Sequence, residues 1–135
     1  MKKICISLIS VIIVASVILS ACGAATATPL AKYLGGEIKD VTMNDESYRL
    51  VCVYTEYTNN SGETMLPADE VNIKAFQNGV EIPVIVFTGE KIDEYIQCDT
   101  AIQTGTTAKV IWTFQPEDDS PVSLEFSDGQ TFLIE

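Results

Sequence analysis

The sequence predicts an all-β domain, an antiparallel β-sandwich of about seven short strands, behind a secretory signal and a short tether. Three observations lead to this prediction. Apolar and polar residues alternate with the period of a strand through most of residues 36–135. Turn-forming sequences recur at intervals of about ten residues, which is typical of sandwiches. No segment of that range has a long helical period.

Residues 1–21 have the layout of a lipoprotein signal peptide. Lys2 and Lys3 precede a nearly unbroken apolar run from Ile4 to Leu19, which ends in Leu19-Ser20-Ala21-Cys22. A charged start, an apolar centre and small residues at the cleavage site are typical of a secretory signal. The four closing residues resemble a bacterial lipobox, in which a diacylglycerol is attached to the cysteine sulfur and the signal is cleaved just before it.

The alternative for this segment is an uncleaved transmembrane helix. The apolar run is short for a span, which needs about 20 residues. The next positive charge is Lys32, so no basic cluster follows the run to stop transfer. We therefore expect lipidation at Cys22 to hold the protein at the extracellular face of the cell membrane, because two acyl chains anchor durably where one does not.

The composition excludes several classes of function. The 135 residues include 8 Lys and Arg, 19 Asp and Glu, and no His. Removal of Lys2 and Lys3 with the signal leaves 6 bases against 19 acids, a net charge of −13. This charge argues against binding nucleic acid or anionic lipid surfaces. Without His, a Ser-His-Asp site, a Cys-His site and a His-based zinc site are all excluded.

Residues 22–35 predict a tether, and strands begin at about Gly36. The tether consists of the lipidated Cys22 and a stretch rich in Ala, Thr and Gly. Tyr48–Thr58 is β-branched and aromatic with apolar residues on both faces, which predicts a central, well-covered strand. Asn59-Asn60-Ser61 then breaks the strand. These three residues also match a glycosylation acceptor pattern, although a turn explains them fully.

The next segments predict a hairpin. Val71–Ala75 alternates apolar and polar residues, as in a half-buried strand. Asn78-Gly79 suits the positive φ angles of a type I′ turn. The apolar alternation continues from Val80 to Val86, and Pro83, which lacks an amide hydrogen, places this second strand at a sheet edge.

The segment Gly89–Thr104 leaves two alternatives open: one helical turn, from the spacing of apolar residues at Ile92–Ile96, or a polar loop. Beyond it, Ala108–Phe114 has the strongest core face in the chain, and Trp112 on that face is predicted to be a core residue rather than a binding residue. The remaining elements are a turn at Pro116–Pro121, a strand at Val122–Phe126, a turn at Asp128-Gly129 and a strand at Thr131–Ile134.

Four segments resemble, in order, the signatures of a family of Gram-positive bacterial surface lipoproteins that carry a domain of unknown function. They are the strand and turn Tyr54–Ser61, the Gln-Asn-Gly hairpin Phe76–Ile82, the Gly105 segment before the strand Thr107–Phe114, and Ser120–Phe126. The resemblance implies an immunoglobulin-like sandwich, related to small secreted mycobacterial antigens, in an extracytoplasmic location. It implies no substrate, because the shared residues are turn formers and core faces.

Two cysteines remain once Cys5 leaves with the signal and Cys22 is acylated. Cys52 and Cys98 are either a disulfide, which an oxidising location allows, or two separate thiols. An antibody-type bridge needs its second cysteine on the strand at Lys109–Phe114, where there is none. Both alternatives stay open on the sequence.

The acidic segments offer oxygen ligands without a recognised spacing. Glu117-Asp118-Asp119 and Asp93-Glu94 suit calcium chemically, but neither has the pattern of an EF-hand loop. Solvated polar turns are the favoured explanation. Paired carboxylates of the kind that hydrolyse sugars are expected by chance in a chain with so many acids.

We therefore expect a non-enzymatic interaction module on the cell surface, without a cofactor, that binds another protein or an envelope component. The candidate recognition loops are Asn59–Asp69 and Gly89–Thr104, because sandwiches present loops at their ends. The alternatives are a small-ligand or calcium-binding protein, a hydrolase, and a passive spacer. Fold class alone does not choose among them.

Overall fold

The computed structural model describes residues 30–135; the predicted signal peptide and Cys22 lie outside the described residues. The strands are β1 (Ala31–Met43), β2 (Glu46–Thr58), β3 (Ile73–Gln77), β4 (Val80–Ile82), β5 (Lys91–Ile92), β6 (Tyr95–Gln97), β7 (Thr107–Phe114), β8 (Val122–Phe126) and β9 (Thr131–Ile134). One short helix, α1 (Pro67–Glu70), lies between β2 and β3. No helix in this range is long and apolar enough to cross a membrane.

The strands form two sheets that pack as a sandwich. One sheet has five strands in the order β1-β2-β7-β6-β5, and the other has four in the order β4-β3-β8-β9. Neighbouring strands are antiparallel except β6 and β7, which run parallel. The predicted all-β sandwich is confirmed. The two strands that were not predicted are β5 and β6, which have only two and three residues.

Strand β1 begins at Ala31, so the domain starts earlier than the predicted boundary and the tether prediction of residues 22–35 extends too far. A bulge between Tyr33 and Gly35 inserts one extra residue into β1. A bulge shifts the alternation of side chains by one position. Tyr33 before the bulge and Ile38 after it therefore both pack against the core. The bulge interrupts the period of two, which is why the sequence did not reveal this part of the strand.

Strand β2 lies between β1 and β7 and is buried on both faces, as its composition predicts. Val51, Val53 and Tyr57 face the other sheet, whereas Leu50 and Cys52 face away from it. The five-stranded sheet therefore separates an inner cluster, which fills the sandwich, from an outer cluster on its far side. The outer cluster consists of Val41, Met43, Leu50, Cys52, Ile92 and Ile111, with Tyr48, Tyr54, Ile85, Phe87 and Tyr95 against it.

The outer cluster is covered by the chain between β4 and β6. The helical turn considered for Ile92–Ile96 does not form; β5 and β6 make a tight hairpin with Asp93 at φ 55°. Ile92 packs in the outer cluster, whereas Ile96 packs against the inner one. The apparent helical spacing therefore came from two residues that serve opposite sides of a sheet. The alternative prediction of a polar loop is also incomplete, because apolar side chains of this segment pack against both clusters.

The Asn78-Gly79 turn and the edge position of β4 are confirmed. Asn78 and Gly79 have φ angles of 54° and 79°, as a type I′ turn requires, and β4 is the first strand of its sheet. The strand ends at Ile82, however, rather than continuing to Val86. Pro83 follows it, and the chain then crosses to the other sheet, where Val84 forms an isolated bridge to Phe114.

The two ends of the sandwich differ, and we name them for what they carry. At the tether end, the chain enters at Leu30, whose carbonyl accepts a hydrogen bond from the Thr58 amide at 3.3 Å. The loops after β2, before β7 and after β8 lie at this end. At the hairpin end are the turn between β1 and β2, the Asn78-Gly79 turn and residues 115–121.

Gly36 lets β1 approach β9 closely, and we expect Gly36→Ala to lower the free energy of unfolding by about 1 kcal/mol through overpacking. A Cβ at this position would lie 2.6 Å from Ile134 Cδ1 and 2.9 Å from Ile134 Cγ1. Urea denaturation of the variant measures the effect. The double variant with Ile134→Ala should show a smaller increment for Gly36→Ala, because the clashing atoms are then absent.

Gly62→Ala is the matched control for Gly36→Ala. A Cβ on Gly62 meets no atom within 4 Å, so this change should move the free energy of unfolding by less than about 0.5 kcal/mol. Equal effects of the two glycine substitutions would contradict the close approach of β1 and β9.

Candidate binding loops and other candidate sites

Asn59 follows β2 directly and organises the loop at the tether end. Its side chain is fully buried. Nδ2 donates to the carbonyl oxygens of Glu63 and Ile102, both at 2.8 Å. Oδ1 accepts from the Ser61 amide at 2.9 Å and the Ser61 hydroxyl at 2.6 Å. These four bonds use the full capacity of the amide, which agrees with the turn interpretation and leaves no free Nδ2 hydrogen for a glycan.

The structure joins the loop after β2 to the loop before β7. Met65 and Ile102 exchange two backbone hydrogen bonds, at 3.0 and 2.8 Å. The backbone amide of Asn59 donates to the Thr106 carbonyl at 3.0 Å, and the backbone amide of Gly105 donates to the backbone carbonyl of Asn59 at 2.7 Å. Gly105 has a φ of 78°, which favours glycine at that position. Residues 59–65 and 102–106 thus form one surface, which we call the joined loops.

Helix α1 continues the joined loops toward β3 and was not predicted from the sequence. Pro67 stands at its first position, where a missing amide hydrogen does no harm. The Ala68 amide donates to the Cys98 carbonyl at 3.0 Å. The buried Tyr57 hydroxyl donates to the Glu70 carboxylate, and burial, followed by this bond, raises the pKa of Tyr57. These contacts fix the helix to the five-stranded sheet, through Tyr57 on β2 and Cys98 just after β6.

The joined loops present polar groups on a fixed backbone. Their exposed side chains offer hydrogen-bond donors and acceptors with one carboxylate. The exposed residues are Asn60, Gly62, Glu63, Thr64, Gln103, Thr104, Gly105 and Thr106. The Thr104 hydroxyl donates to the Ser61 carbonyl, which ties the two loops together at their tips. Such a surface suits a polar partner, because its groups are already positioned before contact.

The rest of the predicted loop Gly89–Thr104 lies elsewhere. Ile92 and Tyr95 pack in the outer cluster, and Asp93 lies beside β1. A groove of about 260 Å³ separates Lys39–Met43 from Lys91–Asp93. Lys39 Nζ spans it to Asp93 Oδ2 at 3.1 Å. Hydrogen bonds with Tyr54 and then with the nearby carboxylates raise the pKa of Lys39. The structure therefore divides this predicted loop between two surfaces.

Gln77 holds the acidic loop at the hairpin end. Its side chain is 1% exposed. Nε2 donates to the carbonyl oxygens of Asp118 and Ser120 at 2.9 and 2.8 Å. Oε1 accepts from the amides of Glu117 and Asp118 at 2.7 and 3.3 Å. One side chain thereby replaces the backbone partners that this loop lacks.

Four of the five acidic side chains suggested as calcium ligands have other partners. Arg49 Nη2 lies 2.7 Å from Asp119 Oδ1, and Lys109 Nζ lies 2.7 Å from Glu94 Oε1. Asp118 accepts from the Ser120 amide at 2.8 Å, and its hydrogen bonds from Ser120 hold the pKa of its carboxyl below the usual value. Among residues 30–135, no three Cys, Asp or Glu side chains form a group that could hold a metal ion.

Cys52 and Cys98 are free thiols, and the structure contains no disulfide between them. Cys52 belongs to the outer cluster and Cys98 to the inner cluster, on opposite sides of the five-stranded sheet. Burial raises the pKa of each thiol to about 11. The predicted lipidation site, Cys22, lies outside the described residues.

We expect neither thiol to react in the folded domain and both to react after denaturation. A thiol with a pKa of about 11 is almost entirely protonated at neutral pH, and the thiolate is the reactive form. Titration of the fragment 24–135 with a chromogenic disulfide reagent, without reductant, measures both states. Absence of reaction after denaturation would show that the two cysteines are bonded to each other.

Trp112 is a core residue, as predicted. Its side chain is 3% exposed in the inner cluster. Nε1 donates to Thr55 Oγ1 at 3.1 Å, and Thr55 Oγ1 in turn donates to the Val110 carbonyl at 3.0 Å. The indole is therefore satisfied inside the sandwich and takes no part in a surface site.

These observations define a class: a small two-sheet β-sandwich domain in which buried amide side chains organise the loops at both ends. The model of one protein family, described as a domain of unknown function (DUF5067), matches residues 36–128, more than two thirds of the chain. The chain belongs to the DUF5067 family. No curated protein matches the sequence. The matched range contains Asn59, Gln77 and the joined loops.

Proposed function

We propose that this protein is an extracytoplasmic lipoprotein, anchored through Cys22, whose sandwich domain is a non-enzymatic module that binds a surface protein or envelope component. The charged start, apolar run and lipobox-like end of residues 1–22 support the anchor. The resemblance to Gram-positive surface lipoproteins and to small secreted mycobacterial antigens supports the same location.

The joined loops carry the binding part of the proposal. The four hydrogen bonds of Asn59 and the paired Met65 and Ile102 backbones fix two separate loops as one surface. A backbone fixed in this way lowers the ordering cost of binding, because only the exposed polar side chains still have to be ordered. The chain also enters at this end, so a tethered domain presents the joined loops toward the envelope from which it extends.

Cys22→Ala tests the anchor. We expect the full chain with this change to leave the membrane fraction and to lose the mass of the diacylglycerol, because the thioether to lipid can no longer form. Fractionation and mass spectrometry of the wild-type and variant proteins measure this. Cys5→Ala is the matched control, since it lies in the signal and should leave lipidation unchanged. An unprocessed Cys22→Ala chain that stays fully in the membrane would favour the transmembrane alternative.

Photo-crosslinking from the joined loops tests the binding role. A photoreactive amino acid at Asn60 or Gln103, both exposed, is introduced into the lipidated chain in intact cells. We expect both positions to give the same discrete adduct. The same amino acid at Asp45, in the exposed turn at the hairpin end, is the control and should not give it. An adduct from Asp45 alone, or from none of the positions, would contradict a binding surface at the joined loops.

A further inference from the structure

The segment Val80–Val86 follows an unpaired edge that crosses from one sheet to the other. Its first part is β4, which pairs with β3 on one side. Its second part bonds to the end of β7: the Gln115 amide donates to the Pro83 carbonyl at 2.9 Å, and the Ile85 amide donates to the Thr113 carbonyl at 2.8 Å. Within residues 30–135, no strand pairs with the other side of this segment.

The backbone on that open side has hydrogen-bonding groups to offer. In the described part of the chain, the amides of Val84 and Val86 donate to no backbone carbonyl. Unpaired edge groups in a row are a template for another strand. Pro83 has no amide hydrogen to donate. An incoming strand would therefore bond to residues before and after Pro83 but not to Pro83 itself.

Three valine side chains of the same segment are exposed. Val80, Val84 and Val86 are 58%, 49% and 36% exposed, whereas Ile82 between them is buried. They are three of the six exposed large apolar side chains in residues 30–135. Scattered exposed apolar residues need no explanation, but several along one unpaired edge mark an interaction site. We call the segment Val80–Val86 the valine edge.

The segment that contains the valine edge is acidic. No Lys or Arg occurs between Lys74 and Lys91, while Glu81 and Glu90 lie in that range. The acidic loop is attached to the turn before the edge, since Asn78 Nδ2 donates to Asp118 Oδ2 at 3.2 Å. A second copy of this chain would bring another acidic edge, with Glu81 facing like charge, so electrostatics favour a basic partner.

We propose that the valine edge receives an extended strand from a partner protein in which β-branched residues alternate with basic ones. Main-chain hydrogen bonds to the open side give affinity, and alternate side chains meet the valines and the surrounding carboxylates. This surface is separate from the joined loops and lies on a different part of the sandwich. The proposal takes from the proposed function only that the domain binds a protein. A negative result at one of the two surfaces therefore leaves the proposal for the other intact.

A synthetic peptide of alternating lysine and valine is the probe, titrated into the full chain in a neutral detergent. We expect it to bind, and the double variant Val84→Ser, Val86→Ser to weaken binding at least tenfold, which corresponds to about 1.4 kcal/mol. Hydrogen exchange should show new protection of the Val84 and Val86 amides in the complex. Leu133→Ser is the matched control, because Leu133 is 59% exposed on another strand, and it should leave binding unchanged.

Other outcomes overturn the proposal. Equal binding of a peptide in which serine replaces valine would mean that charge alone attracts the probe. Equal binding of an alternating glutamate and valine peptide would remove the argument for a basic partner. A dimer that the Val84→Ser, Val86→Ser double variant abolishes in sedimentation would identify a second copy as the occupant. Binding without protection of the Val84 and Val86 amides would place the probe elsewhere.

Discussion

Replacing Gln77 with alanine should lower the free energy of unfolding by about 4 kcal/mol, the largest effect of a single polar substitution that we expect in this domain. The change removes four hydrogen bonds, two donated and two accepted by the amide. It also leaves a cavity, since Gln77 is among the largest fully buried side chains. The carbonyls and amides of the acidic loop then lose partners that water can only partly replace.

Urea denaturation of Gln77→Ala and Gln77→Leu separates the two causes. Leucine fills most of the volume, so its remaining effect reports the lost hydrogen bonds. Gln115→Ala is the matched control, because Gln115 is an exposed glutamine near the same loop, and it should change the free energy of unfolding by less than about 0.5 kcal/mol. If Gln77→Leu were as stable as the wild type, the bonds to the acidic loop would contribute nothing net.

Replacing Asn59 with alanine should lower the free energy of unfolding by about 3 kcal/mol. Its four side-chain bonds join the loop after β2 to the Ile102 carbonyl. Without them, two carbonyl oxygens and the Ser61 amide lose their partners at a buried position. We also expect faster hydrogen exchange at the Ser61 amide, because that amide is bonded to Asn59 Oδ1.

Asn60→Ala is the control for this change. Asn60 is the next residue, of the same type, but it is exposed, so its replacement should be nearly neutral. Thermal unfolding of both variants gives the comparison. A large effect of Asn60→Ala, or a neutral Asn59→Ala, would contradict the assignment of the loop structure to the buried amide.

The sequence revealed the central strands because both periodicity and composition act there in the same direction. Tyr48–Thr58 is long, β-branched and apolar on both faces, whereas Ala108–Phe114 has one continuous apolar face. The structure buries both faces of each strand along most of its length. The Asn78-Gly79 turn was equally visible, since few residues adopt two successive positive φ angles. Local chemistry decides these elements, so local sequence shows them.

Elements that depend on contacts with distant residues could not be predicted from the sequence. β6 consists of three residues and exists because it lies beside β7, with Ile96 opposite Val110. The start of β1 contains Gly35 and Gly36, and its pairing with β2 rather than its propensity makes it a strand. Helix α1 has only four residues and is fixed by contacts with Cys98 and Tyr57. No local pattern encodes such contacts.

The candidate sites divide in the same way. Asn59 stands in a predicted turn and Gln77 directly precedes one, but their full burial and four bonds each follow only from the fold. The predicted loop Asn59–Asp69 is a loop in the structure as far as Leu66, where helix α1 follows. The predicted loop Gly89–Thr104 is divided between two surfaces. The valine edge was read as a continuing strand, and its exposure depends on the crossing at Pro83.

Two apolar clusters on opposite sides of one sheet make this a domain with two levels of local stability. The outer cluster is covered by residues 85–92, which hold few strand hydrogen bonds, while the inner cluster is enclosed by both sheets. Partial opening can therefore release the cover without separating the sheets. Cys52 lies in the outer cluster and Cys98 in the inner cluster. The two thiols are thus natural reporters of the two openings, with Cys52 becoming accessible first as denaturant is raised.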